Sequence, residues 1–378
     1  MWRCYTAPIF GNLLLAIVEA LGDVLPKPCS TDLPMITTII PTFRRPKLLA
    51  RAIRSALAQT FSDLSVAVLD NASGPETEEL VAALASRDRR IAYFRHDRNI
   101  GGAANIAFGM SRVQTPYFSI LCDDDVLLPR FYEAALERFA RYPNAAFAGG
   151  STLEVTERGD FVYAPAAYWS GREYFSPPDG AMRMMNGKHP TLTAVLFRTE
   201  ALESVGPIDT AAGTLFDLDY FIRIAARYPI SIFREPCGFF VRHAGSWSDS
   251  SSSIEADYDR LLAKYQLDQA FGDALRRAKA RRLFQLTLKA VARNDDGAAA
   301  AYAAALARSS DRLQAAMARL VQSLAHVPGS AALLRTLMAA RLTLLALECK
   351  LRLAVGRNAG LRFGLRRELT YFRALRDA

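Results

Sequence analysis

The sequence predicts an α/β protein, a mostly parallel, doubly wound sheet followed by an all-α C-terminal region. Three observations carry this. From Met35 onward, short β-branched runs alternate with stretches of helical length and spacing, the pattern of a parallel sheet with helical crossovers. Acids and turn formers sit just after several of the strand-like runs, where open α/β sheets bind ligands. Beyond about Ile254 the strand signals stop, and alanine, leucine and arginine take over.

Taken in order, residues 1–33 hold one apolar run, Leu13 to Val18, bracketed by Asn12, Glu19 and Asp23. It is well short of the roughly 20 residues that span a bilayer, and reads as an N-terminal helix packed on the domain or lying at a membrane surface. Met35–Ile40 is a β-branched strand closed by Pro41, and Pro46 opens a helix through Ala58, because proline's fixed φ suits a first helical turn. Leu64–Leu69 is a second buried strand, ending in the turn-forming run Asp70-Asn71-Ala72-Ser73-Gly74. Glu76–Ser86 reads as a helix, Ile91–Arg95 as a short strand, Gly102–Ser111 as a helix reached through glycines, and Tyr117–Cys122 as the strand that delivers Asp123, Asp124 and Asp125. A looser, aromatic-rich stretch over Tyr163–Tyr174 turns at Ser176-Pro177-Pro178-Asp179-Gly180. Thr191–Phe197 reads as a strand, Leu215–Arg227 as a helix and Ile230–Phe233 as the last strand, before Arg242-His243 and a serine tract, Ser246–Ser253, whose composition suggests a mobile loop. The rest reads as roughly four or five helices, with a break at Pro328-Gly329. The expected organisation is an N-terminal helical segment (1–33), an α/β domain (34–253) and a basic helical region (254–378).

Composition bounds the function. Half the chain is apolar and 22% charged, which suits a folded core. Five scattered cysteines without CxxC spacing suggest neither a disulfide framework nor a zinc site, so a reducing, cytoplasmic location is expected. The formal charge of +9 is uneven, because ten Lys/Arg from Arg335 onward face only Glu348, Glu368 and Asp377. That concentration argues against a nucleic-acid binder. It suits instead a peripheral position on the inner, anionic face of the cell membrane, or equally an oligomerisation surface.

The three adjacent carboxylates are the most informative feature. Clustered negative charge at a strand end is costly, since like charges raise one another's pKa, and a divalent metal relieves it most simply. A loop whose acids cap the next helix is the other reading, and the triplet alone leaves both open.

Four motifs in order resolve this by resemblance. They are Thr37-Thr38-Ile39-Ile40-Pro41-Thr42-Phe43-Arg44-Arg45-Pro46, Leu69-Asp70-Asn71-Ala72-Ser73, Arg98-Asn99-Ile100-Gly101-Gly102-Ala103-Ala104-Asn105, and Asp123-Asp124-Asp125. From roughly Pro34 to Ser253 the chain resembles the inverting glycosyltransferases of family 2, of the bacterial cell-surface polysaccharide type, which have the GT-A fold. The resemblance implies that Pro41 and Thr42 hold the nucleotide base, that Arg44 lies near the phosphates, and that Asp70 bonds the uracil or ribose of a UDP-linked sugar. Arg98 would lie beside the base, and Gly101 would let backbone approach the donor. The acids look like the DxD-type motif in one of two registers, a literal Asp123-x-Asp125, or Asp123 facing the ribose with Asp124 the first choice to hold Mg²⁺ or Mn²⁺, helped by Asp125 and His243.

Downstream, Gly206-Pro207-Ile208-Asp209 resembles the family's G-x-F-D turn, and Asp217-Leu218-Asp219 with Arg223 its acceptor motif, with Phe216 where a Glu commonly stands. By position Asp217 would be the base, with Asp219 and Arg223 supporting it. Arg242-His243 resembles the stretch near the donor diphosphate, where Arg242 would stabilise negative charge. The resemblance implies a transferase that moves sugar from a nucleotide sugar to a hydroxyl of a glycan or lipid-linked glycan. A sugar-phosphate nucleotidyltransferase or a non-catalytic assembly subunit of the same fold stays open as an alternative.

Overall fold

The computed structural model describes residues 33–169, 171–243, 254–266, 268–308, 312–325, 329–355 and 364–377. The expected N-terminal helix and the serine tract lie outside the described residues. Everything below belongs to the unit Met35–Ala378.

The first part alternates β1 (Ile36–Thr42), α1 (Pro46–Leu57), β2 (Leu64–Asp70), α2 (Pro75–Ala85), β3 (Ile91–Arg95), α3 (Gly102–Met110) and β4 (Tyr117–Ile120). There follow β5 (Val126–Leu127), α4 (Phe131–Arg141), β6 (Phe147–Thr156), β7 (Phe161–Tyr163), β8 (Tyr174–Phe175), α5 (Asp179–Arg183), β9 (Val195–Arg198), α6 (Thr199–Val205), α7 (Phe216–Ala225) and β10 (Ile230–Arg242). Helices α8 (Ile254–Lys264), α9 (Gln269–Ala292), α10 (Asp296–Ala307), α11 (Arg312–Ala325), α12 (Ser330–Val355) and α13 (Gly364–Asp377) close the chain. None of the described helices is long and apolar enough to cross a membrane.

The sheet runs β3-β2-β1-β4-β9-β6-β10-β5, with β7 on β6 and β8 on β10. Strands β3, β2, β1 and β4 are parallel, as are β6 and β10, while β9 is antiparallel to β4 and β6. The parallel register sets Thr42 beside Asp70 and Ile39 beside Ile120. The acids after β4 therefore emerge at the same carboxyl edge as Thr42 and Asp70.

Pro41 does not stop β1, contrary to expectation. Ile39 offers its carbonyl to Leu121 N and Thr42 offers its own to Asn71 N, so alternate residues face β4 and β2. The missing N–H of Pro41 faces β4, which has ended at Ile120, and no ladder bond is lost.

Both faces of the sheet are covered. On one, Leu49 and Ile53 of α1 and Phe131 and Tyr132 of α4 pack on Val66 and Val68. On the other, Phe118, Phe197 and Phe221 form a buried aromatic row, with 5.1 Å between the first two ring centroids and 6.0 Å between the last two. Each such Phe contributes about 1.5–3 kcal/mol by burial. The C-terminal helices join the same apolar clusters. Leu261 of α8 and Phe271 and Leu275 of α9 join the aromatic row's cluster, and Cys349 of α12 and Phe372 of α13 pack with Leu153 and Phe239.

Candidate active site at the carboxyl edge of the sheet

Three loops are tied together along this edge. The β1–α1 loop carries Arg44 at φ 56°, a left-handed conformation unusual for a side-chain-bearing residue, and its N–H donates to Ser73 Oγ at 2.8 Å. Asp70 holds the second loop in shape. Its Oδ1 accepts from Ser73 N at 2.9 Å and its Oδ2 from the Tyr93 hydroxyl at 2.5 Å. Burial first, and then that bond, push the Tyr93 pKa up, so the phenol stays a donor. Asp70 is fully buried, and Asn71 joins the third loop, its Nδ2 donating to Asn99 Oδ1 at 2.8 Å and its Oδ1 accepting from Ile100 N at 2.8 Å. Gly101, at φ 88°, takes a conformation that glycine alone adopts readily, and nothing stands where a Cβ would be. Arg98 stands exposed on this loop, and so does the side chain of Arg44 on its own.

The acid triplet divides into three environments. Asp123 is buried, and its Oδ2 accepts from Thr42 Oγ1 at 2.8 Å. Burial, and next the charge of Asp124, raise its pKa to about 6. Asp125 is also buried, with Oδ1 accepting from Val241 N at 3.0 Å and Oδ2 from the Thr193 hydroxyl. Burial and Asp124 drive its pKa well up. Asp124 is the more accessible acid, with a side chain 15% exposed. Its Oδ2 meets His243 Nε2 at 2.7 Å and Arg45 Nη1 at 3.1 Å.

Two arginines that sequence reasoning passed over surround this cluster. Arg45 also reaches Asp123 Oδ1 at 3.4 Å. Arg51, buried on α1, donates to the Asp124 carbonyl at 2.5 Å and lies over the ring of Phe372, 5.4 Å from its centroid. Burial lowers the Arg51 pKa against the opposing pull of Asp125 and Asp124. Arg45 stands inside the first motif beside Arg44, so the sequence offered it. Arg51 had no signal, standing as one of three cations on α1 with Lys47 and Arg54.

These donors fit a hard divalent cation. Cys122, Asp124 and Asp125 each place a ligand-type atom within 4.8 Å of the others, and buried carboxylates with raised pKa values are short of positive charge. Burial and the neighbouring acids raise the Cys122 pKa well up, so it stays a thiol and a poor partner for Mg²⁺ or Mn²⁺.

Opposite stands α7. Asp217 at its first turn is half-buried, with Oδ1 accepting from Leu218 N at 2.7 Å. No hydrogen bond to its other oxygen occurs among the described residues. Its negative charge adds, after burial and the triplet, to what raises the Cys122 pKa, so it lies within electrostatic reach of the end of β4. Asp219 is buried and bound by Arg223 Nε at 2.9 Å, Lys264 Nζ at 2.8 Å and Tyr265 Oη at 3.2 Å. Arg223 also donates to the carbonyls of Val205 at 2.5 Å and Pro207 at 2.6 Å, clamping the Gly206 turn. Lys264 and Asp257, the latter accepting from Thr214 N at 2.9 Å just before α7, went unnoticed because they lie on α8, beyond the motif region. Arg242 is engaged with Glu154 of β6, its Nε donating to Oε2 at 2.8 Å. The structure thus joins Thr42 to Asp123 and Asp124 to His243 by direct contact, holds Asp125 beside them on Thr193 and Val241, and ties Asp219 to Arg223 on the helix of Asp217.

The fold defined by this sheet is of the GT-A type, mixed and mostly parallel, with helices following at the C-terminus. Among solved structures it is similar to S. aureus TarS 1–349 in complex with UDP-GlcNAc, with a TM-score of 0.55 and 16% identity over 75% of this chain and 87% of that one. Residues 37–206 match the family described as Glycosyl transferase family 2. The GalNAc(5)-diNAcBac-PP-undecaprenol beta-1,3-glucosyltransferase of Campylobacter jejuni is 33% identical over 117 residues, 31% of this chain and 37% of that protein. Succinoglycan biosynthesis protein ExoO of Rhizobium meliloti is 31% identical over 128 residues, 34% of each chain. An uncharacterized glycosyltransferase of Rickettsia bellii is 32% identical over 136 residues, 35% of this chain and 19% of that protein. The chain thus spans only between 19% and 37% of the length of these relatives.

Proposed function

We propose that this chain is a metal-dependent, inverting glycosyltransferase that moves a sugar from a nucleotide-sugar donor, UDP-linked by preference, to a hydroxyl of a glycan or lipid-linked glycan. The single observation that carries the reading is the acid cluster at the carboxyl edge of the sheet, where Asp124 Oδ2 meets His243 Nε2 at 2.7 Å. We take 34–253 as the catalytic domain and 254–378 as the helical region supporting it. A TarS structure holds UDP-GlcNAc, and the C. jejuni relative is named for an undecaprenol-linked acceptor, which supports the donor and acceptor classes.

The chain's own residues supply most of the chemistry. Thr42, Arg44, Arg98 and the backbone at Pro41 and Gly101 line the donor loops, with Asp70 shaping the second loop and Asp123 placed for the ribose. Asp124 and His243 would hold Mg²⁺ or Mn²⁺, with Asp125 adding charge behind them. The ion, when bound, neutralises the leaving diphosphate. Arg242 at the end of β10 and Arg45 beside the cluster add cationic charge at that edge. Asp217 accepts the acceptor's hydroxyl proton as that oxygen attacks the anomeric carbon, and the carbon–oxygen bond to the diphosphate breaks with its electron pair leaving on oxygen. Attack from the face opposite the diphosphate inverts the centre. Asp219, held by Arg223 and Lys264, fixes the helix that presents the base.

Turnover of a panel of UDP- and GDP-sugars with Mn²⁺, for the wild type, Asp124→Ala and Asp217→Asn, tests this. Loss of turnover in both variants is expected. One observation favours a second reading: Phe216, where the family commonly has Glu, is buried in the core. Donor binding without turnover across an acceptor panel would establish a non-catalytic subunit instead.

A further inference from the structure

Among the described residues, eleven large apolar side chains are exposed, and seven of them lie on α11 and α12. On α11 they are Leu313, Met317 and Leu320, at steps of four and three. On α12 they are Leu333, Leu337, Leu344 and Leu347, all more than half exposed. Such spacing puts each set on one side of its helix. The fold uses the other sides, since Ala315 of α11, Leu334 of α12 and Cys349 of α12 pack into apolar clusters of the described chain. The stripe from Leu333 to Leu347 runs about 21 Å along its helix.

Charge selects the occupant. Residues 312–377 carry twelve Lys/Arg against three acids, which equals the formal +9 of the whole chain. On α11, Arg312 and Arg319 are exposed and stand roughly 105° and 125° round the helix from the centre of the apolar stripe, flanking it where arginine reaches lipid headgroups. Two copies meeting on this face would oppose positive charge to positive charge, whereas an anionic bilayer satisfies both the leucines and the arginines. We propose that α11 and α12 dock on the surface of a bilayer containing anionic lipid, with the two leucine stripes entering the interface. This surface stands apart from the proposed reaction, so either can fail without the other.

Flotation of the full chain with phosphatidylcholine vesicles, with and without phosphatidylglycerol, tests it in the absence of donor and acceptor. The chain should float with the phosphatidylglycerol vesicles only and be released by high salt, and the double variant Leu337→Asp, Leu344→Asp should bind at least about tenfold more weakly. If that variant fails to fold by circular dichroism, Arg312→Glu with Arg319→Glu carries the same test on two exposed side chains. The proposal is overturned if the wild type stays unbound with anionic vesicles, or if folded variants float as well as the wild type. It also falls if the wild type ignores lipid and forms a dimer that the leucine substitutions dissociate.

Discussion

His243 Nε2 lies 2.7 Å from Asp124 Oδ2, joining the end of β10 to the loop after β4 across 119 residues of sequence. The end of β4 brings the carboxylates and the end of β10 the imidazole, and their meeting marks one point in space for a cation. Mn²⁺ should therefore raise the thermal midpoint of the wild type, since a ligand at about a hundred times its Kd stabilises by about 2.7 kcal/mol. Asp124→Asn and His243→Ala should each lose most of that rise. Differential scanning fluorimetry with Mn²⁺ and with chelator measures it, and an undiminished rise in both variants would place the cation elsewhere.

Asp217 is expected to act in the chemical step alone. Its replacement by Asn keeps the bond from Leu218 N and the shape of the helix start, but removes the proton acceptor. We expect kcat to fall about 10²–10⁴-fold, the usual worth of general base catalysis, with the donor KM little changed. Steady-state kinetics on the active donor decide it, and a rise in KM with kcat intact would make Asp217 a binding residue.

The first four strands and three helices were legible in the sequence because parallel strands buried on both faces read as apolar runs, and Pro46 and Gly102 mark helix starts. β6 was not. Gly149-Gly150 stand near its start, and a Cβ at Gly150 would overlap the Cys237 sulfur, so glycine is there to admit β10. Site residues in ordered motifs were legible too. Arg51, Asp257 and Lys264 were not, because their partners are set by packing across 43 or more residues. Arg242 shows the reverse: sequence position put it near the diphosphate, and the structure pairs it with Glu154.

Phe372 links α13 to the acid cluster. It is fully buried, its ring centroid lies 5.1 Å from that of Phe239, and it covers the Arg51 guanidinium that holds the Asp124 carbonyl. Phe372→Ala should destabilise the fold by about 3–5 kcal/mol, the usual cost of emptying a buried aromatic site. Urea denaturation gives the number. A loss under about 1 kcal/mol would mean that α13 is not held against the sheet as described.

Lys264 bridges Asp209 and Asp219, with Nζ 2.9 Å from the first and 2.8 Å from the second. The bond from Lys264 is the main reason the Asp209 pKa is lowered from 3.8, with the Ala211 N–H and the charges of Lys264 and Arg223 adding to it against desolvation. A lowered folded pKa means that the unfolded chain binds the proton more readily. The stabilisation is therefore complete above about pH 4 and is lost as pH falls through the lowered value. Asp209 is 38% exposed, so solvent screens the pair and the effect is modest. Lys264→Met should accordingly be less stable than the wild type at neutral pH, with the gap narrowing once the pH drops below about 4. Urea midpoints of both proteins from pH 7 down to about 3 follow this directly. A gap that stays constant across that range would assign the loss to packing of the lysine stem and not to its charge.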